Sequence, residues 1–243
     1  MRSSSRLISA DRSIIVAADV GMQSLVTLLR ATCTVPGIGA YKLGFRLGFE
    51  GLANAVREVR AYCGPDMPVI YDHQKAGNDI PAMGIEFAKA LRVAGVNAAI
   101  LFPFAGPATQ EVWTRACFDE GVTVLTGGMM THPKLLVSEG GYLSDDAPER
   151  IFRLACKLGV RDFVVPGNNI HWVEELRNLL EQELGADNFV LYAPGFITQG
   201  GDVSECGKAV GPRFHAIVGS GIYGKQTEEA MREAAFVVCK AVA

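Results

Sequence analysis

Short apolar runs alternate with helical patterns along the whole chain. The first run, S-I-I-V-A-A-D at 13–19, has the continuous hydrophobicity of a strand buried on both faces, and it ends in Asp19. Leu25, Leu28 and Leu29 then recur at helical spacing. The second run, G-A-Y-K-L-G-F at 39–45, is strand-like but carries Lys42 where an apolar residue is expected, and Leu52, Val56 and Val59 mark the helix after it. M-P-V-I-Y at 67–71 predicts a third strand that ends abruptly in charge at Asp72. Ile85, Phe87, Ala88 and Leu91 make a helix, and a fourth strand follows at 97–102. The same alternation continues through a helix at 112–118, a strand at 122–126, a long polar connection and a helix at 148–158. Strands at 162–166, 188–192 and 214–219 complete the series, with helices at 172–184, 203–210 and 227–242.

Eight strands and eight helices in strict alternation, with no linker or low-complexity segment, predict one α/β domain over residues 1–243. A closed (β/α)8 TIM barrel accounts for the pattern better than an open doubly wound sheet. Barrels of this kind gather their chemistry at the C-terminal ends of the strands. Polar residues fall there: Asp19, Lys42, Asp72 with Lys75, and Thr126. After strands seven and eight, P-G-F-I-T-Q-G-G-D (194–202) and G-S-G-I-Y-G (219–224) are rich in glycine and precede helices. Two adjacent loops of that kind predict a phosphate site built from backbone N–H groups and a helix N-terminus.

Composition narrows the function classes. Hydrophobic residues at 49% and a net charge of −3 fit a large buried core and offer no basic surface to nucleic acid. The six cysteines form no C-x-x-C pair and no cluster with histidine at metal-ligand spacing, which predicts reduced core thiols, no metal and a cytoplasmic protein. The opening M-R-S-S-S-R-L lacks the apolar stretch of a signal peptide or anchor, and no segment reaches transmembrane length, so no membrane partner is expected.

The chemistry concentrates at 71–81, Y-D-H-Q-K-A-G-N-D-I-P. Asp72, Lys75 and Asp79 fall within eight residues, and a strand end leading into a loop can aim all three at one small volume, where each sets the others' protonation. The competing reading is a surface loop whose charges pair in water, worth under about 1 kcal/mol. The stretch alone supports both.

Taken together, the motifs resemble those of the orotidine 5′-monophosphate decarboxylase family, in order and over nearly the whole length. The landmarks are Asp19 closing strand one, Y-K-L-G around Lys42, the D…K…D-I-P segment, M-T-H-P (130–133), P-G…Q-G-G-D (194–202) and V-G-x-x-I-Y (218–223). The resemblance implies loss of CO₂ from orotidine monophosphate to give UMP, without metal or organic cofactor. It further implies that Asp72 lies against the departing carboxylate and that Lys75 stabilises and protonates the carbanion. Lys42 would bind the ribose and hold Asp72, and Asp19 would take a ribose hydroxyl. Asp79 would reach into a neighbouring subunit's site, which implies a homodimer. Thr131 would read the pyrimidine edge and Gln199 the phosphate, with Pro194, Gly200, Gly219, Ser220 and Gly221 completing the substrate contacts. Two like charges at 4 Å and an effective dielectric of 20 repel by only about 4 kcal/mol, whereas enzymes supply roughly 8 to 23. Stabilisation by the lysine and remote binding of the phosphate must therefore supply most of the rest.

Two departures from the family pattern stand out. The central motif is D-x-x-K-x-x-x-D instead of D-x-K-x-x-D, so a bulge is required to keep Lys75 on Asp72's side, with His73 or Gln74 available to fill the space. After strand eight, Ser220 stands where the family carries a phosphate-binding arginine, leaving Lys225 or the N–H groups of Ser220 and Gly221. Met83 occupies the place of a ribose-contacting threonine. These differences keep open a sugar-phosphate decarboxylase or aldolase of the same superfamily, and a non-catalytic nucleotide-binding member. Of the histidines, His73 is the one expected near ligand and His132 orients the loop of Thr131; His171, His215, Trp113 and Trp172 are expected to be structural.

Overall fold

In the computed structural model of the chain, residues 6–197 and 199–242 are described, the side chains of Gln74 and Lys75 excepted. The reading of the extreme N-terminus therefore falls partly outside the described residues. The apolar runs become eight strands: β1 Arg12–Ala18, β2 Ile38–Gly44, β3 Val69–Ala76, β4 Ala98–Leu101, β5 Thr123–Gly127, β6 Asp162–Val164, β7 Val190–Ala193 and β8 Phe214–Val218. Each pairs in parallel with the next and β8 closes on β1. The period of two sorts the side chains into two cores. Ile15, Ala17, Ala40, Ile70, Ala98, Ile100, Leu125 and Ile217 fill the barrel, while Ile14, Val16, Tyr41, Leu43, Tyr71, Ala99 and Leu101 face the surrounding helices.

The helices are α1 Met22–Thr32, α2 Phe45–Cys63, α3 Met83–Ala94, α4 Pro107–Asp119, α5 Ala147–Leu158, α6 Ile170–Leu184, α7 Val203–Ala209, α8 Ser220–Tyr223 and α9 Glu228–Val242. Their caps follow the sequence. Asn169 and Asp202 accept the N–H groups of Trp172 and Glu205 at the starts of α6 and α7, and Gly95 and Gly159 end α3 and α5 in the left-handed region. No helix among the described residues is long and apolar enough to cross a membrane.

Four expectations need correction. β3 does not stop at Tyr71 but runs on through Asp72 to Ala76, because the strand carries an irregularity there and then rejoins β4. The chain makes an additional one-turn helix, α8, too short to leave a periodic signature. α2 starts directly after β2 and bends at Gly51, whose φ of 124° only glycine tolerates readily. Thr126 is buried but sits opposite Leu101 and Phe163, so it faces the helix layer and not the barrel mouth.

At the opposite end of the barrel lies a buried polar chain. Ser13 Oγ bonds His215 Nδ1 at 2.8 Å, the His215 ring lies 5.1 Å from that of Tyr192, and Tyr192 donates its hydroxyl to Asp162 at 2.8 Å. Burial raises the Asp162 carboxyl to about 6, against the bond from Tyr192, and burial with Arg6 nearby lowers His215 to about 4. The two act on stability with opposite sign. Between pH 4 and 6 the folded state holds a proton on Asp162 that the unfolded chain releases, so this group's contribution falls as pH rises; His215 does the reverse. Asp162→Asn is expected to add about 1–3 kcal/mol at pH 7 and almost nothing at pH 4. Denaturant melts at the two pH values check this; an equal gain at both contradicts it.

Candidate active site

Lys42 is the centre of the barrel mouth. In the ladder it stands beside Ala17 of β1 and Ile70 of β3, in the layer that points into the barrel, where an ammonium is costly unless paired. Its Nζ donates to Asp19 Oδ1 at 2.9 Å and to Asp72 Oδ2 at 3.1 Å. The Lys42 and Asp72 side chains are each only 6% exposed, whereas Asp19 is 36% exposed. Burial alone would lower the Lys42 pKa, but Asp72 and then Asp19 outweigh it and the net shift is upward, so the ammonium stays charged. Gly44, next to Asp72 in the ladder, leaves the room Asp19 needs: a Cβ there would collide with Asp19 Oδ1.

β3 carries the irregularity that the lengthened motif requires. Tyr71 pairs with Ala99 and Ala76 with Leu101, five residues along β3 against two along β4. Three extra residues are accommodated, and Phe102 N–H then donates to the Ala76 carbonyl at 2.8 Å. Tyr71 and Ala76 both belong to the outer core, so the odd insertion reverses the alternation between them. The Lys75 side chain, the expected proton donor, lies outside the described residues. His73, expected near ligand, instead turns toward α2: its Nδ1 shares a hydrogen bond with the Tyr71 hydroxyl and its ring lies 5.8 Å from that of Phe49.

Asp79 does not join Asp72. It is exposed in the connection to α3, where Oδ1 accepts the Ile80 N–H at 2.7 Å and its carbonyl accepts from Thr109. Large apolar side chains are exposed here and on the first turns of α2: Ile80 at 63% and Phe49 at 77%.

Across the mouth, the two glycine-rich loops meet. A Cβ on Gly221 would lie 2.5 Å from Ile197 Cδ1, and Ile197 itself sits at φ 65°, a strained region for a β-branched residue. Gln199 and Gly200 are exposed at the tip, Pro194 opens the loop, and Gly219, Ser220 and Gly221 form the start of α8. Thr131 is half-buried beside them, with its methyl 3.1 Å from the place a Gly195 Cβ would take.

Two residues that sequence reasoning passed over belong to this arrangement. Asn168 donates to the Thr131 carbonyl at 2.9 Å and to Gln199 at 3.4 Å, and its buried Oδ1 has no hydrogen-bond partner among the described residues. The N-N pair at 168–169 reads only as a helix cap, which Asn169 supplies. Tyr223 hydrogen-bonds Ser220; burial raises its pKa, with Asp19 adding to the rise and Lys42 opposing it, so its hydroxyl stands near the charged centre. In the sequence Tyr223 closes the V-G-x-x-I-Y landmark at 218–223. Among the described residues, no three His, Cys, Asp or Glu side chains are grouped to hold a metal ion.

No family model matches the sequence. Solved structures match it closely in fold. Orotidine 5′-monophosphate decarboxylase from Methanocaldococcus jannaschii, complexed with the inhibitor BMP, aligns with a TM-score of 0.79 at 21% identity, covering 95% of this chain and 98% of that one. Orotidine 5′-phosphate decarboxylase from Pyrococcus horikoshii OT3 gives 0.74 at 20% identity over 94% and 98%. The corresponding enzyme from Lactobacillus acidophilus gives 0.69 at 16% identity over 95% and 99%. The chain has the fold of these decarboxylase structures over nearly its full length, as a divergent example of it.

Proposed function

We propose that the protein decarboxylates orotidine 5′-monophosphate to UMP. The observation that carries this reading is the buried Lys42–Asp72 pair with the exposed Asp19 joined to it, set at the C-terminal mouth of the barrel and facing two apposed glycine loops. A buried carboxylate held by a charged lysine has no packing advantage over apolar residues of the same volume, so its retention calls for a use.

In this reading the phosphate is held by the loops of Gln199 and of Ser220 and Gly221, whose backbone N–H groups stand in for a guanidinium. Thr131, tied to Asn168, reads the pyrimidine. Asp19 and Lys42 hold the ribose, and Lys42 holds Asp72 in place against the substrate carboxylate. The C–CO₂ bond breaks, its electron pair stays on the ring carbon, and a proton from the Lys75 ammonium ends on that carbon.

Purified protein mixed with orotidine monophosphate is expected to show the absorbance loss of orotate converting to uracil, unchanged by chelator. Orotidine without phosphate should react far more slowly, because remote binding supports the chemical step. Turnover that chelator abolishes would shift the reading to a metal-dependent sugar-phosphate enzyme. Binding of UMP without turnover would indicate a silent nucleotide-binding barrel.

The exposed apolar residues after β2 and β3 support a homodimer in which Asp79 enters the partner's site. Asp79→Ala and Lys42→Ala, each inactive alone, should recover activity when unfolded and refolded together. In a heterodimer one site then has both groups intact, which predicts roughly a quarter of wild-type activity in an equal mixture. No recovery would place Asp79 in its own subunit's site or outside any site.

A further inference from the structure

We infer that His73 is a positioning residue: by tying the bulged part of β3 to α2, it fixes the backbone path of the segment that carries Lys75. The inference rests on the decarboxylase reading above and extends it to a residue outside the charged array.

The need for such a residue follows from strand geometry. In a regular strand, side chains two apart share a face and side chains three apart do not. Asp72 and Lys75 are three apart, so for both to serve one site, as the decarboxylase reading requires, the strand has to leave the regular path, and β3 departs from it by three residues relative to β4. A bulge of that size loses ladder hydrogen bonds, and without side-chain anchors it would sample several paths.

His73 supplies an anchor from within the bulge. Its Nδ1 is hydrogen-bonded to the Tyr71 hydroxyl, and the two rings lie 5.6 Å apart. The ring of Phe49, on the first turns of α2, lies 5.8 Å from the imidazole and in turn meets Phe45 at 6.2 Å. Tyr71 is itself fixed. It is buried, its ring lies 6.4 Å from that of Phe87 on α3, and its hydroxyl fits against Gly48, where any Cβ would collide with it. Burial, then the charge of Asp72, pushes the Tyr71 hydroxyl up to about 12, so it remains a neutral partner for the imidazole at physiological pH. The chain of contacts therefore runs from the first turns of α2, ahead of its bend at Gly51, through His73 to Tyr71, the residue next to Asp72.

His73 is exposed and its ring contacts are with Tyr71 and Phe49, so its removal should leave folding intact while loosening the segment that carries the proton donor. His73→Ala is expected to lower kcat about 10- to 100-fold, the range for a small misplacement of a reacting group, with KM for orotidine monophosphate within about twofold and the melting temperature unchanged. Tyr71→Phe should reproduce the loss, and the double variant should be no worse than either single one. His73→Asn, whose amide can occupy the Nδ1 position, should restore most of kcat. Wild-type kcat in His73→Ala, or equal loss in the alanine and asparagine variants, overturns the inference and leaves the decarboxylase reading standing. A wild-type protein that does not turn over orotidine monophosphate overturns both.

Discussion

Lys75→Ala is expected to abolish turnover of orotidine monophosphate, with kcat down by at least about 10³-fold, while UMP binding weakens little. The size follows from the double duty assigned to the ammonium. A positioned general acid contributes about 10²–10⁴-fold, and charge stabilisation of a developing anion in a site shielded from water contributes a comparable factor. Both act on the carbanion and neither on the ground-state nucleotide, so the loss belongs in kcat and not in affinity. Single-turnover kinetics with a UMP competition assay separates the two. Retained activity would mean that another group delivers the proton.

The second large effect is expected at Lys42, where activity and stability fall together. Lys42→Ala removes the cation between Asp19 and Asp72 while Asp72 remains buried. Breaking a buried pair by deleting one partner costs about 3–5 kcal/mol, and both side chains here are 6% exposed, so little solvent screening reduces it. Turnover should fall by about 10²–10³-fold as Asp72 loses the partner that holds it in place. The pH dependence has a definite sign. The Lys42 pKa is raised, so its contribution to stability is complete below the ordinary lysine range and disappears only as pH rises through and beyond it. Denaturant unfolding of Lys42→Ala and Lys42→Met, read beside kcat, checks both parts; a variant as stable as wild type would contradict the buried-pair account.

The barrel was legible because burial on both faces makes parallel strands continuously apolar, and because the helices between them repeat at 3.6 residues. Asp19, Lys42 and Asp72 stood out for the same reason: a charge inside such a run has few structural excuses. The extension of β3 was not legible, since H-Q-K-A after Asp72 reads as a polar loop when its ladder partners on β4 are unknown. The site of His73 was misjudged on the same ground, because its direction depends on where the strand breaks its alternation. Thr126 looked like a mouth residue, but the parity of β5, fixed by Leu125 inside the barrel, turns it outward. Asn168 and Tyr223 join the site only through contacts between loops distant in sequence, which no local pattern records.

The most direct test of the central claim is to run the reaction in D₂O with chelator present and examine the UMP formed. Loss of CO₂ followed by protonation from a lysine that exchanges with solvent predicts UMP carrying one deuterium on the ring carbon that bore the carboxylate. No UMP, or UMP formed only when metal is supplied, would contradict the account.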